Sequence, residues 1–225
     1  RDFGDVIIDF PTGMSLGWGI CDDGKNLWVS DYYSPTTLFE VDYEGNVTGN
    51  ELTVSEGQVW IGDMVSDGEF IYCCLVGGSN EIAKLEIATG DVTTISGDWT
   101  VTSQRGLGAD FQNEEFYIGG WNSNQIWRTD FEGTTIDTYG WSGVCGIAWH
   151  PQGGPDAAGS LWVMVNAGSD VCTELDPNDG WANIQSFVIP DDAGYSGAGA
   201  EIKRSNPDAG AIWVVNQSNQ RIYLV

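Results

Sequence analysis

Short runs of alternating apolar and polar residues recur along the chain, separated by turn-forming clusters. The period is marked by an aromatic that follows an apolar residue in LWVS, IYCC, FYIG, LWVM and IWVV. These aromatics are Trp28, Tyr72, Tyr117, Trp162 and Trp213, spaced 44, 45, 45 and 51 residues apart. Five units of 45 residues account for the length of 225. Every unit has the same internal order. A Gly-rich apolar stretch comes first (GWGIC at 17–21, IGDMV at 61–65, GLGAD at 106–110, VCGIAW at 144–149, GAGAEI at 197–202), then a turn, then the aromatic run. A third apolar run follows (TLFEVD, EIAKLE, QIWRTD, VCTELD), and an acidic turn such as DYEG or DFEG leads to a fourth. Glycine suits these turns because it takes positive φ without steric penalty.

Four short strands joined by tight turns make a four-stranded antiparallel sheet, and five such sheets in sequence predict an all-β, five-bladed β-propeller. The expected blades span about 17–54, 61–97, 106–141, 144–190 and 197–225 with 1–11, all in one domain. The Gly-rich strand fits the crowded innermost position, and the aromatic strand fits the widening space between blades. Both chain ends read as half units. RIYLV followed by RDFGDVIIDF parallels QIWRT followed by DFEGTTIDTY, which predicts that the N-terminal strand closes the last blade. The closure strands would bring Val6, Ile7, Ile8 and Phe10 against Ile222, Tyr223 and Leu224. The same hydrogen bonds made by a neighbour's strand would instead assemble copies into a filament.

The stretches GICDDGKNLWVSDYYSPTTLFEVDYEGNV and GADFQNEEFYIGGWNSNQIWRTDFEGTTI resemble NHL and YVTN-type propeller repeats, in the style of virginiamycin-lyase-like and gluconolactonase-like propellers. The resemblance covers all five units. It implies the propeller fold and, in its enzymes, a site of histidine and carboxylates around the central channel, often with a metal. This chain has one histidine, His150, and five units rather than six or seven. A propeller without that catalytic set is therefore expected.

Composition narrows the function classes. The net charge is −25, from 33 acids against 8 bases, which disfavours nucleic acid and anionic membrane surfaces as partners. No run of 18 apolar residues is present, so insertion in a membrane as a helix is not expected. Residue 1 is Arg and no charged-then-apolar leader precedes the first strand, which fits a processed chain acting outside the cell or at its surface. Cys21, Cys73, Cys74, Cys145 and Cys172 form no C-x-x-C pair, so they are read as candidate disulfide partners with one thiol left over. Cys73 and Cys74 are adjacent in a strand and should face opposite ways.

Three candidate chemistries remain. Asp63, Asp110 and Glu201 sit in or beside inner strands and are candidate ligands for a cation such as Ca2+ at one end of the channel. Trp18, Trp60, Trp121 and Trp141 fall near strand ends and loops, where aromatic faces can stack on sugar rings. The inserts HPQGGPDAAGS (150–160) and RSNPDAG (204–210) lengthen two turns and are candidate binding edges. GYSGAG lacks the nucleophile-elbow spacing, and DPNDG lacks the alternating acids of a calcium loop. The sequence thus points to a non-catalytic extracellular module that binds other protein subunits, its own copies included. Glycan binding and metal-dependent lyase or hydrolase activity are the alternatives.

Overall fold

A computed structural model of the chain describes residues 4–205 and 210–225. Among the described residues, twenty strands form five four-stranded antiparallel sheets arranged as a β-propeller. The first sheet holds β2 (Gly17–Asp22), β3 (Leu27–Asp31), β4 (Ser34–Val41) and β5 (Val47–Thr53), in that order. The second holds β6 (Trp60–Ser66), β7 (Phe70–Val76), β8 (Ile82–Glu86) and β9 (Val92–Ile95). The third holds β10 (Gly106–Asp110), β11 (Glu115–Gly120), β12 (Gln125–Asp130) and β13 (Thr135–Gly140). The fourth holds β14 (Val144–His150), β15 (Ser160–Val165), β16 (Val171–Asp176) and β17 (Ala182–Val188). In the fifth, β18 (Gly197–Ile202), β19 (Ile212–Asn216) and β20 (Arg221–Leu224) are completed by β1 (Ile8–Pro11).

The closure register pairs Ile8 with Leu224 and Phe10 with Ile222. Ile7 N–H also donates to Leu224 O at 2.7 Å. The chain's own N-terminal strand therefore closes the ring, and Arg221 adds an ion pair to Asp9 across the seam.

Five separate apolar cores lie between neighbouring blades, and each takes one of the repeat aromatics. Trp213 packs with Phe10, Leu27 and Leu224 between blades five and one. Trp28 packs between blades one and two, Tyr72 between two and three, Tyr117 between three and four, and Trp162 between four and five. Four of the five find a polar partner in a nearby acid. Trp28 Nε1 donates to Asp23 at 3.0 Å, Trp213 Nε1 to Asp22 at 3.2 Å, Tyr72 Oη to Asp67 at 3.3 Å and Tyr117 Oη to Glu115 at 3.4 Å. Large rings thus fill the widening gaps while their polar tips stay satisfied.

Cys73 and Cys74 do face opposite ways, into the cores on either side of blade two. The disulfide expectation is corrected: Cys21, Cys73, Cys74, Cys145 and Cys172 are all free thiols and all buried. They act as small apolar fillers of the inter-blade cores. Cys74 Sγ donates to Gly106 O at 3.6 Å and Cys145 Sγ to Met164 O at 3.4 Å. Burial pushes every one of these thiols above its ordinary pKa, so they are poor thiolate donors.

Two outcomes are expected from this architecture. Deleting the chain through Pro11 uncovers β20 and the Trp213 core, and should abolish the cooperative thermal transition of the monomer; an unchanged melting temperature would overturn closure in cis. Trp213→Ala should cost about 3–5 kcal/mol in urea denaturation.

Candidate binding faces at the two ends of the channel

All five inner strands run in the same sense along the central axis. The face where they begin, here the upper face, also carries the turns between second and third strands and the connections between blades. The face where they end, the lower face, carries the other two sets of hairpin turns.

Between the faces the axis is filled by Asp63. Its carboxylate accepts the Ile147 N–H of β14 at 2.9 Å and the Ile20 N–H of β2 at 3.4 Å. The N–H groups of Leu107 in β10 and of Met64 in its own strand add to this. Gly199 of β18 completes the ring, because a Cβ there would lie 2.5 Å from Asp63 Oδ1. Register shifts at Gly17/Ile20, Ile61/Met64, Val144/Gly146 and Gly197/Ala200 interrupt the ladder in four of the five inner strands. Three of the N–H groups that meet Asp63, those of Ile20, Met64 and Ile147, lie at or next to these shifts. Burial pushes the Asp63 carboxyl well above the usual carboxylate range, and the four N–H donors offset only part of this.

The upper face gathers three of the four candidate tryptophans around a residue that the pattern analysis passed over. Arg105, just before β10, sets its guanidinium carbon 5.2 Å from the Trp18 ring and 5.3 Å from the Trp121 ring. Trp60 meets Trp18 edge-on at 6.4 Å and stacks on Tyr32 at 5.0 Å. Trp121 is 40 % exposed and anchors its Nε1 on Asn166 O at 2.8 Å. Tyr33, beside Tyr32, is 69 % exposed. Trp141 stands apart, stacked on Tyr139 in the core between blades three and four.

Among the described residues Arg105 has no carboxylate partner. The three ion pairs among the described residues join Arg128 to Glu115, His150 to Glu174 and Arg221 to Asp9. Arg105 Nε is buried without a hydrogen bond. Burial also pulls its pKa below the ordinary value, although a guanidinium stays charged throughout the physiological range. The signal in the sequence was its rarity: it is one of only 8 Lys and Arg residues, and it stands at the mouth of an inner strand.

The lower face holds a cavity of about 230 Å³ where the inner strands of blades two to five end. Asp110 and Glu201 both line it, whereas Asp63 is spent on the axis. The expectation that these three acids share a cation is corrected accordingly. Among the described residues no group of three or more His, Cys, Asp or Glu is placed to hold a metal ion. Asp110 already caps its own turn, accepting from Gln112 N–H at 3.0 Å and Asn113 Nδ2 at 2.7 Å. His150 serves Glu174, whose carboxyl is held below its usual range by hydrogen bonds from His150, Ser160 and Gln185 that outweigh burial. Of the two long inserts, 150–160 reaches the cavity through Pro151 and 204–210 through Arg204; residues 206–209 lie outside the described residues.

The raised Asp63 carboxyl sets a pH dependence. A carboxyl whose folded pKa exceeds its unfolded one stabilises the fold fully below the unfolded value, and that contribution is lost as pH rises through the folded one. Asp63→Asn, which cannot ionise, should show a flatter stability profile than the parent as pH rises from the ordinary carboxylate range. Parallel urea-denaturation profiles of the two proteins would refute this.

No protein-family model and no curated protein sequence matches the chain. Solved structures share its fold at low identity. The chain is similar to a glutaminyl cyclase from Myxococcus xanthus, with 13% identity, 98% of this chain and 94% of that chain covered, and a TM-score of 0.70. It is similar to virginiamycin B lyase from Staphylococcus aureus, with 15% identity, coverage of 93% and 67%, and a TM-score of 0.55. A streptogramin B lyase matches at 16% identity over 100% of this chain and 72% of that one, with a TM-score of 0.56. At these identities the likeness establishes the β-propeller fold and leaves the activity of each neighbour with that neighbour.

Proposed function

We propose that the chain is a recognition module acting outside the cell, and that its upper face binds a saccharide bearing a carboxylate. The observation that supports this most directly is the Arg105 guanidinium held between Trp18 and Trp121 without an acidic partner. In a chain of net charge −25, a cation left unpaired among aromatic rings is a costly arrangement that an anionic ligand would relieve. A guanidinium offers paired N–H donors that match a carboxylate, and the exposed rings of Trp121 and Tyr33 offer flat apolar surface for a pyranose.

A second reading concerns association between copies. Val6 and Ile7 just before the outer strand of blade five and Ile8 at its start are all exposed, an apolar segment beside an open edge of the kind that pairs with other chains. Glutaminyl cyclisation and streptogramin B cleavage belong to the structural neighbours and come to this chain as reactions to assay.

Uronate-bearing oligosaccharides should bind in calorimetry, and neutral oligosaccharides of the same length at least about tenfold more weakly. Arg105→Ala should abolish that preference, and Trp121→Ala should weaken binding of both classes. Equal affinity for neutral and acidic sugars would remove the proposal, and turnover in either assay would replace it with an enzymatic one. Light scattering at micromolar concentration tests the second reading, with a monomer unchanged by Ile7→Lys counting against it.

A further inference from the structure

The lower cavity contains one polar atom that the fold leaves unused. Glu201 is 4 % exposed and lines the cavity. Its Oε1 accepts the Ile202 N–H at 2.9 Å, and its Oε2 has no hydrogen-bond partner. The neighbouring carboxylates are all satisfied. Asp22 accepts from Gly24 N–H at 2.8 Å, Tyr43 Oη at 2.6 Å and Trp213 Nε1 at 3.2 Å. Asp63 and Asp110 are engaged as described above. Among the described residues that line the cavity, Glu201 alone has a buried carboxylate oxygen without a hydrogen-bond partner, and the apolar Phe111, Trp149 and Ile202 line the cavity with it, beside the polar Ser66, Gln112 and Arg204.

The charges facing this carboxyl decide what it wants. Asp22 and the Cys21 thiol approach from β2, Asp63 from β6, and Asp110 lines the same cavity from β10. Against these acids stands Arg204, whose Nη1 is turned to Ser66 O and whose backbone N–H meets Asp22. Among the described residues one guanidinium faces the Asp110 and Asp22 carboxylates here, so acids outnumber bases around the cavity, which disfavours an anion and favours a cation.

We infer that the lower cavity binds a small primary ammonium ligand, which donates an N–H to Glu201 Oε2 and lays its apolar body against Phe111, Trp149 and Ile202. Aromatic faces add cation–π attraction in the same place. Burial first, and then the Asp63 and Asp22 charges, hold the Glu201 carboxyl well above its usual range, while Arg204 and the Ile202 N–H pull the other way. That direction favours the protonated acid in the unliganded cavity. Binding exchanges its proton for the ligand: the ammonium and the carboxylic acid become an ammonium–carboxylate pair, and one proton leaves to solvent. Affinity should rise with pH, because the bound form needs the carboxylate.

The test is calorimetry on the full chain with n-butylammonium chloride, butyramide and sodium butyrate, each in two buffers of different protonation enthalpy. The ammonium should bind at least about tenfold more tightly than the other two and release up to about one proton. Glu201→Gln should remove the proton release and most of the affinity. Phe111→Ala, in a surface turn, should weaken binding severalfold and leave proton release intact. Binding of the amide or butyrate as tightly as the ammonium would overturn the inference, as would proton release persisting in Glu201→Gln or no binding of any probe. Arg105→Ala should leave the ammonium isotherm unchanged, so failure here is distinguishable from failure of the upper-face reading.

Discussion

The Asp63 carboxylate occupies the place where five inner strands would otherwise turn unpaired backbone N–H groups toward an apolar axis. One side chain meets strands from all five blades: N–H groups from blades one, two, three and four, and the bare Cα of Gly199 from blade five. Orphaned buried N–H groups are costly, and a single carboxyl group accepting from several strands satisfies several at once. The glycines follow from the same constraint. A Cβ on Gly146 would lie 2.5 Å from Ala198 O, so the strands reach this proximity only where side chains are missing.

From that axis outward the molecule trades backbone contact for side-chain bulk. Near the axis, adjacent inner strands touch through glycine and alanine. Farther out, the wedge between blades opens, and Trp28, Tyr72, Tyr117, Trp162 and Trp213 fill it. Each wedge is a small core in its own right, and the pairing of β1 with β20 completes the last blade. The acids that hold the aromatic tips, such as Asp22 for Trp213 and Asp23 for Trp28, explain part of the acidic excess as structure.

The two ends of the channel are chemically opposite. Above Asp63, an unpaired guanidinium lies among tryptophans. Below it, an unpaired carboxyl lies in a cavity bordered by acids. The separation is physical: Asp63 and its ring of backbone donors close the axis between them. One fold thereby presents a cationic face and an anionic cavity within a strongly acidic chain.

Much of this was legible in the sequence because strands, turns and the 45-residue period are local features. The apolar alternation set the strands, the glycines set the inner position, and the split unit at the two ends set the closure of the ring. The aromatic of each second strand announced its place between blades, and the adjacent Cys73 and Cys74 announced opposite faces. The rest depended on depth along the axis, which the pairing register and not the motif sets. Val65, Gly108 and Glu201 face the repeat aromatics of their blades, so Asp63 lies two residues nearer the start of its inner strand and Asp110 two residues nearer the end; Asp63 ends on the axis, Asp110 on its own turn and Glu201 in a cavity. Arg105 and Trp121 are neighbours within blade three through the pairing of β10 with β11, whereas Trp18 joins them only because the curvature of the ring brings blade one to the same channel mouth. The sequence by itself determined how many blades there are and which strand of each faces inward. Only the closed ring decided which side chains meet, because groups more than 40 residues apart converge there solely through the curvature of the whole.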